Sequence, residues 1–154
     1  MPPLERVAVC YTVLPVPANQ PAEPPPRKGV VSMCLRGRWF GLAALPEAAD
    51  LEDPVKGLDV QVLYDNVLNP VLGIGNPRTD ERIKYVGGIR GLKELENMVM
   101  DEREGGWAVA FSMFPVSVAE VMAIADADAL MPPKATWFEP KLRSGLVVRV
   151  LDNA

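Results

Sequence analysis

Prolines recur from Pro15 to Arg27 (PVPANQPAEPPPR), and this stretch constrains the fold more than any other. A proline fixes φ and withholds a backbone donor, which rules out a helix interior or a central strand. The run is therefore expected to be extended, in the polyproline II range, as a semi-rigid spacer or an arm lying along an edge. It divides the chain into residues 1–28, an N-terminal segment with a Pro-rich linker, and 29–154, a single domain. Before the prolines, Val7 to Val13 is a short apolar run, readable as a strand or as the tail of another element. With Arg6 as its only preceding cation and Glu5 beside it, the run is not expected to be a secretory leader. No apolar run approaches the length of a membrane span.

After the prolines, hydrophobic periodicity and its punctuation mark the elements. Val30, Val31, Met33 and Leu35 lead to a turn at Arg36-Gly37, and Trp39, Phe40 and Leu42 return, which predicts a hairpin. Asp59 is placed to cap a helix over about 60–68, with Pro70 and Gly73 ending it. A short strand is predicted from Arg82 to Val86, and a second helix from near Gly91, carrying Leu92, Leu95, Met98 and Val99 at helical spacing. Trp107 to Phe114 is apolar at nearly every position, the pattern of a central strand covered on both faces. Ser117-Val118-Ala119-Glu120 is a capping box opening a third helix, with Val121, Ile124 and Ala125 facing inward. Leu146 to Leu151 reads as a last strand. The sum is an α+β fold: a mixed β-sheet with about three helices packed on it, preceded by the extended Pro-rich arm.

Charge and composition narrow the chemistry. The net charge is −4, which disfavours a nucleic-acid partner. Acidic residues gather between Glu94 and Glu104, whereas Lys134, Lys141, Arg143 and Arg149 make the C-terminal end basic. Histidine is absent, which removes the commonest general base and the commonest metal ligand. Cys10 and Cys34 sit far apart in apolar contexts, so neither a zinc site nor a disulfide framework is expected. No metal and no cofactor is expected, and a reducing cytoplasm fits best.

Several groups of residues are candidates for binding. Val86-Gly87-Gly88-Ile89-Arg90-Gly91 joins a predicted strand to a helix start. Gly87 and Gly88 would let backbone amides approach an anion beside Arg90; a tight strand-to-helix turn accounts for the glycines equally well. Arg78 and Arg82 place two guanidinium groups on one loop, suited to phosphate or carboxylate, although Asp80 and Glu81 are near enough to pair with them. Pro132-Pro133 restricts the backbone leading to Lys134. Trp137 and Phe138 are anchors for the core or for an interface. Asp126 and Asp128, at a helix end, form either a carboxylate pair or a solvated terminus.

Taken together, Asp53-Pro54-Val55, Asn76-Pro77-Arg78-Thr79-Asp80, Val86 to Gly91, Ala108 to Phe111, Met131-Pro132-Pro133-Lys134 and Trp137 to Leu142 resemble the C-terminal half of the DUF1015 family of bacterial and archaeal proteins. Members of that family carry in addition an N-terminal portion with an Asp-Gly-His-His-Arg-type segment, similar to ParB-like, nucleotide-using proteins. With no histidine in this chain, the resemblance implies a supporting half without the reactive segment. Two functions follow as expectations. The first is a non-catalytic domain lending an anion-facing surface (Arg78, Arg82, Gly87, Gly88, Arg90 and Lys134) to a larger protein that acts on a nucleotide or phosphorylated metabolite. The second is an interaction module, docking an N-terminal DUF1015-type half or a second copy through Trp137 and Phe138. Catalysis by this chain alone is not expected, because acid–base partners are missing.

Overall fold

A computed structural model of the protein describes residues 3–101 and 107–136. Its fold is α+β, a four-stranded antiparallel sheet with helices packed on it. A short helix α1 (Pro3–Val7) leads to β1 (Tyr11–Pro15), followed by β2 (Val30–Leu35) and β3 (Arg38–Ala44). Helix α2 (Asp59–Leu63) runs on as a wider π turn over Tyr64–Leu68. The chain then passes through a long loop to α3 (Gly91–Met100), β4 (Val109–Met113) and α4 (Val118–Asp126). The strand order is β1-β3-β2-β4.

The β2–β3 hairpin is the best-defined piece, and its turn explains why. Arg36 and Gly37 have φ of 50° and 72°, the left-handed pair of a two-residue turn whose twist matches that of the strands. This sets Leu35 opposite Arg38 and Met33 opposite Phe40. Period-two alternation then sends Val31, Met33, Phe40 and Leu42 to one face, where Tyr11 joins them. Val62, Leu63 and Val67 from α2 and its π turn close this core, with Val7 of α1 at its margin.

The N-terminal segment differs from its sequence reading. Val7 to Val13 is partly helix, and the strand begins only at Tyr11. That strand pairs with β3, Tyr11 opposite Ala44 and Pro15 opposite Phe40. The Pro-rich stretch thus joins two strands of one sheet instead of leading into it. Pro25 within it is buried, and the carbonyl of Glu23 accepts a hydrogen bond from the Ser32 hydroxyl at 3.0 Å.

Other differences from the sequence reading concern the sheet, the 82–86 segment and Asp59. Every strand pairing among the described residues is antiparallel, where a mixed sheet was expected; the predicted strand 146–151 lies outside those residues. The segment 82–86 alternates like a strand but pairs with no strand among the described residues; side chains of Arg82 and Tyr85 bond to nearby groups instead. Strand β4 pairs only with β2 among the described residues and is half-buried throughout, so among those residues it is an outer strand of the sheet. Asp59 does not cap α2, whose N-cap position is Leu58; its carboxylate instead accepts the Gly29 N–H at 2.9 and 3.1 Å.

The capping box of α4 forms as expected. Ser117 Oγ accepts the Glu120 N–H at 3.2 Å, and Glu120 Oε2 accepts the Ser117 N–H at 2.8 Å. Ile124 is buried and Val121 half-buried, but Ala125 is exposed. The other oxygen of Glu120 meets Lys28 Nζ at 2.6 Å. The Lys28-Gly29 turn before β2 is thereby fastened to the starts of both α2 and α4.

Candidate functional site

The cleft that brings predicted site residues together lies between the 77–85 loop and the 131–134 segment after α4. It has a volume of about 480 Å³, and its walls include Arg78, Asp80, Ile83 and Tyr85 on one side and Met131 to Lys134 on the other. That volume falls within the range of small-molecule pockets.

The loop wall is built by side chains that fold back on it. Asn76 Oδ1 accepts the Arg78 N–H at 2.9 Å, the local bond that makes asparagine a turn former. The backbone N–H groups of Thr79 and Asp80 donate to the Asn76 carbonyl. The Tyr85 hydroxyl donates to the Pro77 carbonyl at 3.0 Å and closes the loop across its mouth. Burial pushes the Tyr85 phenol above its usual value. On the opposite wall, Lys134 has φ of 57°, a left-handed conformation that a side chain adopts at a cost of roughly 1–2 kcal/mol.

The predicted cations part company. Arg78 and Lys134 line the cleft, and neither has an ion-pair partner among the described residues. Arg82 is committed elsewhere, to the Asp80 carboxylate and to the carbonyls of Leu72 and Gly73. The Arg82 guanidinium and backbone N–H hold the Asp80 carboxyl below the usual carboxylate range. Arg90 lies outside the cleft, 67% exposed, with its guanidinium 3.6 Å from Glu94.

Gly87 and Gly88 form the approach to a single 3-10 turn over Gly88–Arg90, where the Arg90 N–H donates to the Gly87 carbonyl. Neither has a positive φ; that need falls on Gly91, at 71°. The glycine turn and the cleft are therefore separate features. Asp126 and Asp128 are both exposed, and among the described residues no cluster of carboxylates and thiols could hold a metal ion. Trp137 and Phe138 lie outside the described residues.

Sequence reasoning misses the cleft's apolar and aromatic wall, because the alternation of 82–86 predicts a strand for Ile83 and Tyr85. It also misses a part-buried group around Asp59. Burial raises the Asp59 carboxyl above its usual value against the opposing pull of the Gly29 N–H. Tyr11 stands behind it, its phenol pushed far up by burial and by the Asp59 charge, and its hydroxyl has no hydrogen-bond partner among the described residues.

No family model matches the chain, and neither a curated protein nor a solved structure matches it. Among the described residues, no helix is long and apolar enough to cross a membrane.

Proposed function

We propose that the cleft is an anion site for a phosphate-bearing small molecule, and that the chain lends this surface to a larger DUF1015-type protein. On this reading the proton-transferring residues belong to another part of that protein, which works in the cytoplasm. One observation carries the proposal. Arg78 and Lys134, remote in sequence, line the same cleft with no carboxylate paired to either among the described residues. Two cations without counter-charges in a concave site favour an anion that can accept hydrogen bonds from both. The family side of the proposal draws support from placement: Asn76 to Asp80 and Met131 to Lys134, two segments that carry the resemblance, supply the facing walls.

Thermal melting in inorganic phosphate, adenosine monophosphate and ribose 5-phosphate tests the site. A ligand that binds only the folded chain raises Tm by mass action. The shift should appear with at least one of the three, shrink in high salt, and be lost in Arg78→Ala and in Lys134→Ala. Absence of a shift with all three would remove the proposal.

A second reading, an interaction module, draws on the outer face of α4. Val118 and Met122 are 73% and 59% exposed, and Leu130 just beyond the helix is 83% exposed. Sedimentation showing a dimer, together with no phosphate shift, would favour that reading.

A further inference from the structure

The cleft wall contains a carboxylate as well as two cations. A free carboxylate there would oppose any anion and compete with it for Arg78, two residues away, and for Lys134 across the gap. The Asp80 carboxylate is not free. Its Oδ1 accepts from Arg82 Nε at 2.9 Å and from the Arg82 backbone N–H at 3.0 Å, and its Oδ2 accepts from Arg82 Nη2 at 2.6 Å. This is the two-pronged guanidinium–carboxylate contact, the strongest common form of the pair.

Arg82 is in turn anchored from behind. Its Nη2 also donates to the Gly73 carbonyl at 2.9 Å and its Nη1 to the Leu72 carbonyl at 3.4 Å. A guanidinium has five N–H donors, and these contacts leave Arg82 little with which to hold a ligand. The exposures of the pair differ accordingly: the Asp80 side chain is 14% exposed and that of Arg82 is 61%. The carboxylate faces inward and the cation is turned towards the end of the α2 segment.

We infer that Arg82 is a positioning residue of the anion cleft: it engages Asp80 so that Arg78 and Lys134 stay unpaired with any carboxylate among the described residues, without contacting the ligand itself. This rests on the anion reading of the cleft. Asp80 is ionised at any pH near neutrality, so a cation and not a proton must cancel its charge.

The experiment measures binding of inorganic phosphate by calorimetry to the whole chain and to four variants. Arg82→Ala should weaken binding by about tenfold, as a released neighbouring carboxylate repels the anion and pairs with its cations. Arg82→Gln keeps donors for Gly73 but loses the charge, and should weaken binding to a similar degree even if Arg82→Ala fails to fold. Asp80→Asn should bind at least as tightly as the unaltered chain. Combining Asp80→Asn with Arg82→Gln should restore affinity to within about threefold, because no unpaired carboxylate remains. Arg82→Gln with unchanged affinity would overturn the inference, and so would a double variant as weak as Arg82→Gln, which is what a purely shape-keeping role gives. An unaltered chain that binds no phosphate would sink the cleft reading itself, a result distinct from either.

Discussion

The β2–β3 hairpin and the 76–85 loop are held together by different means. In the hairpin, backbone ladders and burial act together: Leu42 and Cys34 are fully buried, and β2 is paired on both sides. In the loop no ladder forms with any of the described residues, and side chains of Asn76, Asp80, Arg82 and Tyr85 bond to nearby backbone or to each other. The first arrangement spreads its stabilisation over many atoms and tolerates little change of volume. The second concentrates it in a few exposed polar contacts, each of small net value. A loop of that kind can be reshaped at low cost, whereas the sheet cannot.

The comparison breaks most sharply at Leu42. Leu42→Ala leaves a cavity between the sheet and α2, and should destabilise the chain by about 2–5 kcal/mol in urea unfolding. Phosphate affinity, measured where the variant is still folded, should be unaffected; a parallel loss of both would show that loop and core are one unit.

Tyr85→Phe probes the other region. It removes the bond to the Pro77 carbonyl at a half-exposed position, and should change global stability by less than about 1 kcal/mol. Hydrogen exchange at the Asp80 and Ile83 amides should nevertheless quicken, while the amides of β2 keep their protection. Equal protection throughout the loop would mean that the tyrosine is not its clasp.

The smallest effect is expected from pH, through Glu120. Burial alone would raise its carboxyl, but hydrogen bonds from Lys28 and from the Ser117 N–H and hydroxyl hold it below the usual glutamate value. A lowered folded-state value means that this contribution is present above the unfolded value, near 4.3, and fades as pH falls below it. Asp59 has the opposite sign: its raised carboxyl favours the fold in acid and loses that contribution as pH rises through its folded-state value. The two partly offset, so Glu120→Gln should flatten the acid limb of the stability profile by less than about 1 kcal/mol. An acid limb unchanged in Glu120→Gln would move that sensitivity elsewhere.

How much was legible in advance can be seen element by element. The Arg36-Gly37 turn, the start of α3 at Gly91 and the capping box of α4 all follow from residues within four positions of one another. Asp59 resembles a cap and serves Gly29 instead, because a partner thirty positions away offers a bond in a part-buried setting. Arg82 to Val86 alternates like a strand, yet no neighbouring strand among the described residues accepts it. Of the predicted cations, Arg78 and Lys134 share a cleft, whereas Arg82 and Arg90 found carboxylates nearby. A one-dimensional reading could count these charges but had no means of pairing them.

The amino-acid order alone determined the short-range features: hydrophobic period, turn chemistry, helix starts, and the lack of an imidazole to move protons. Those depend on torsional preference and on bonds that close within a few residues. Tertiary structure alone decided, among the described residues, the order of the strands, which two of them the proline stretch joins, and which cations meet a carboxylate. These depend on which distant groups meet, and on whether burial makes their meeting worth the loss of water.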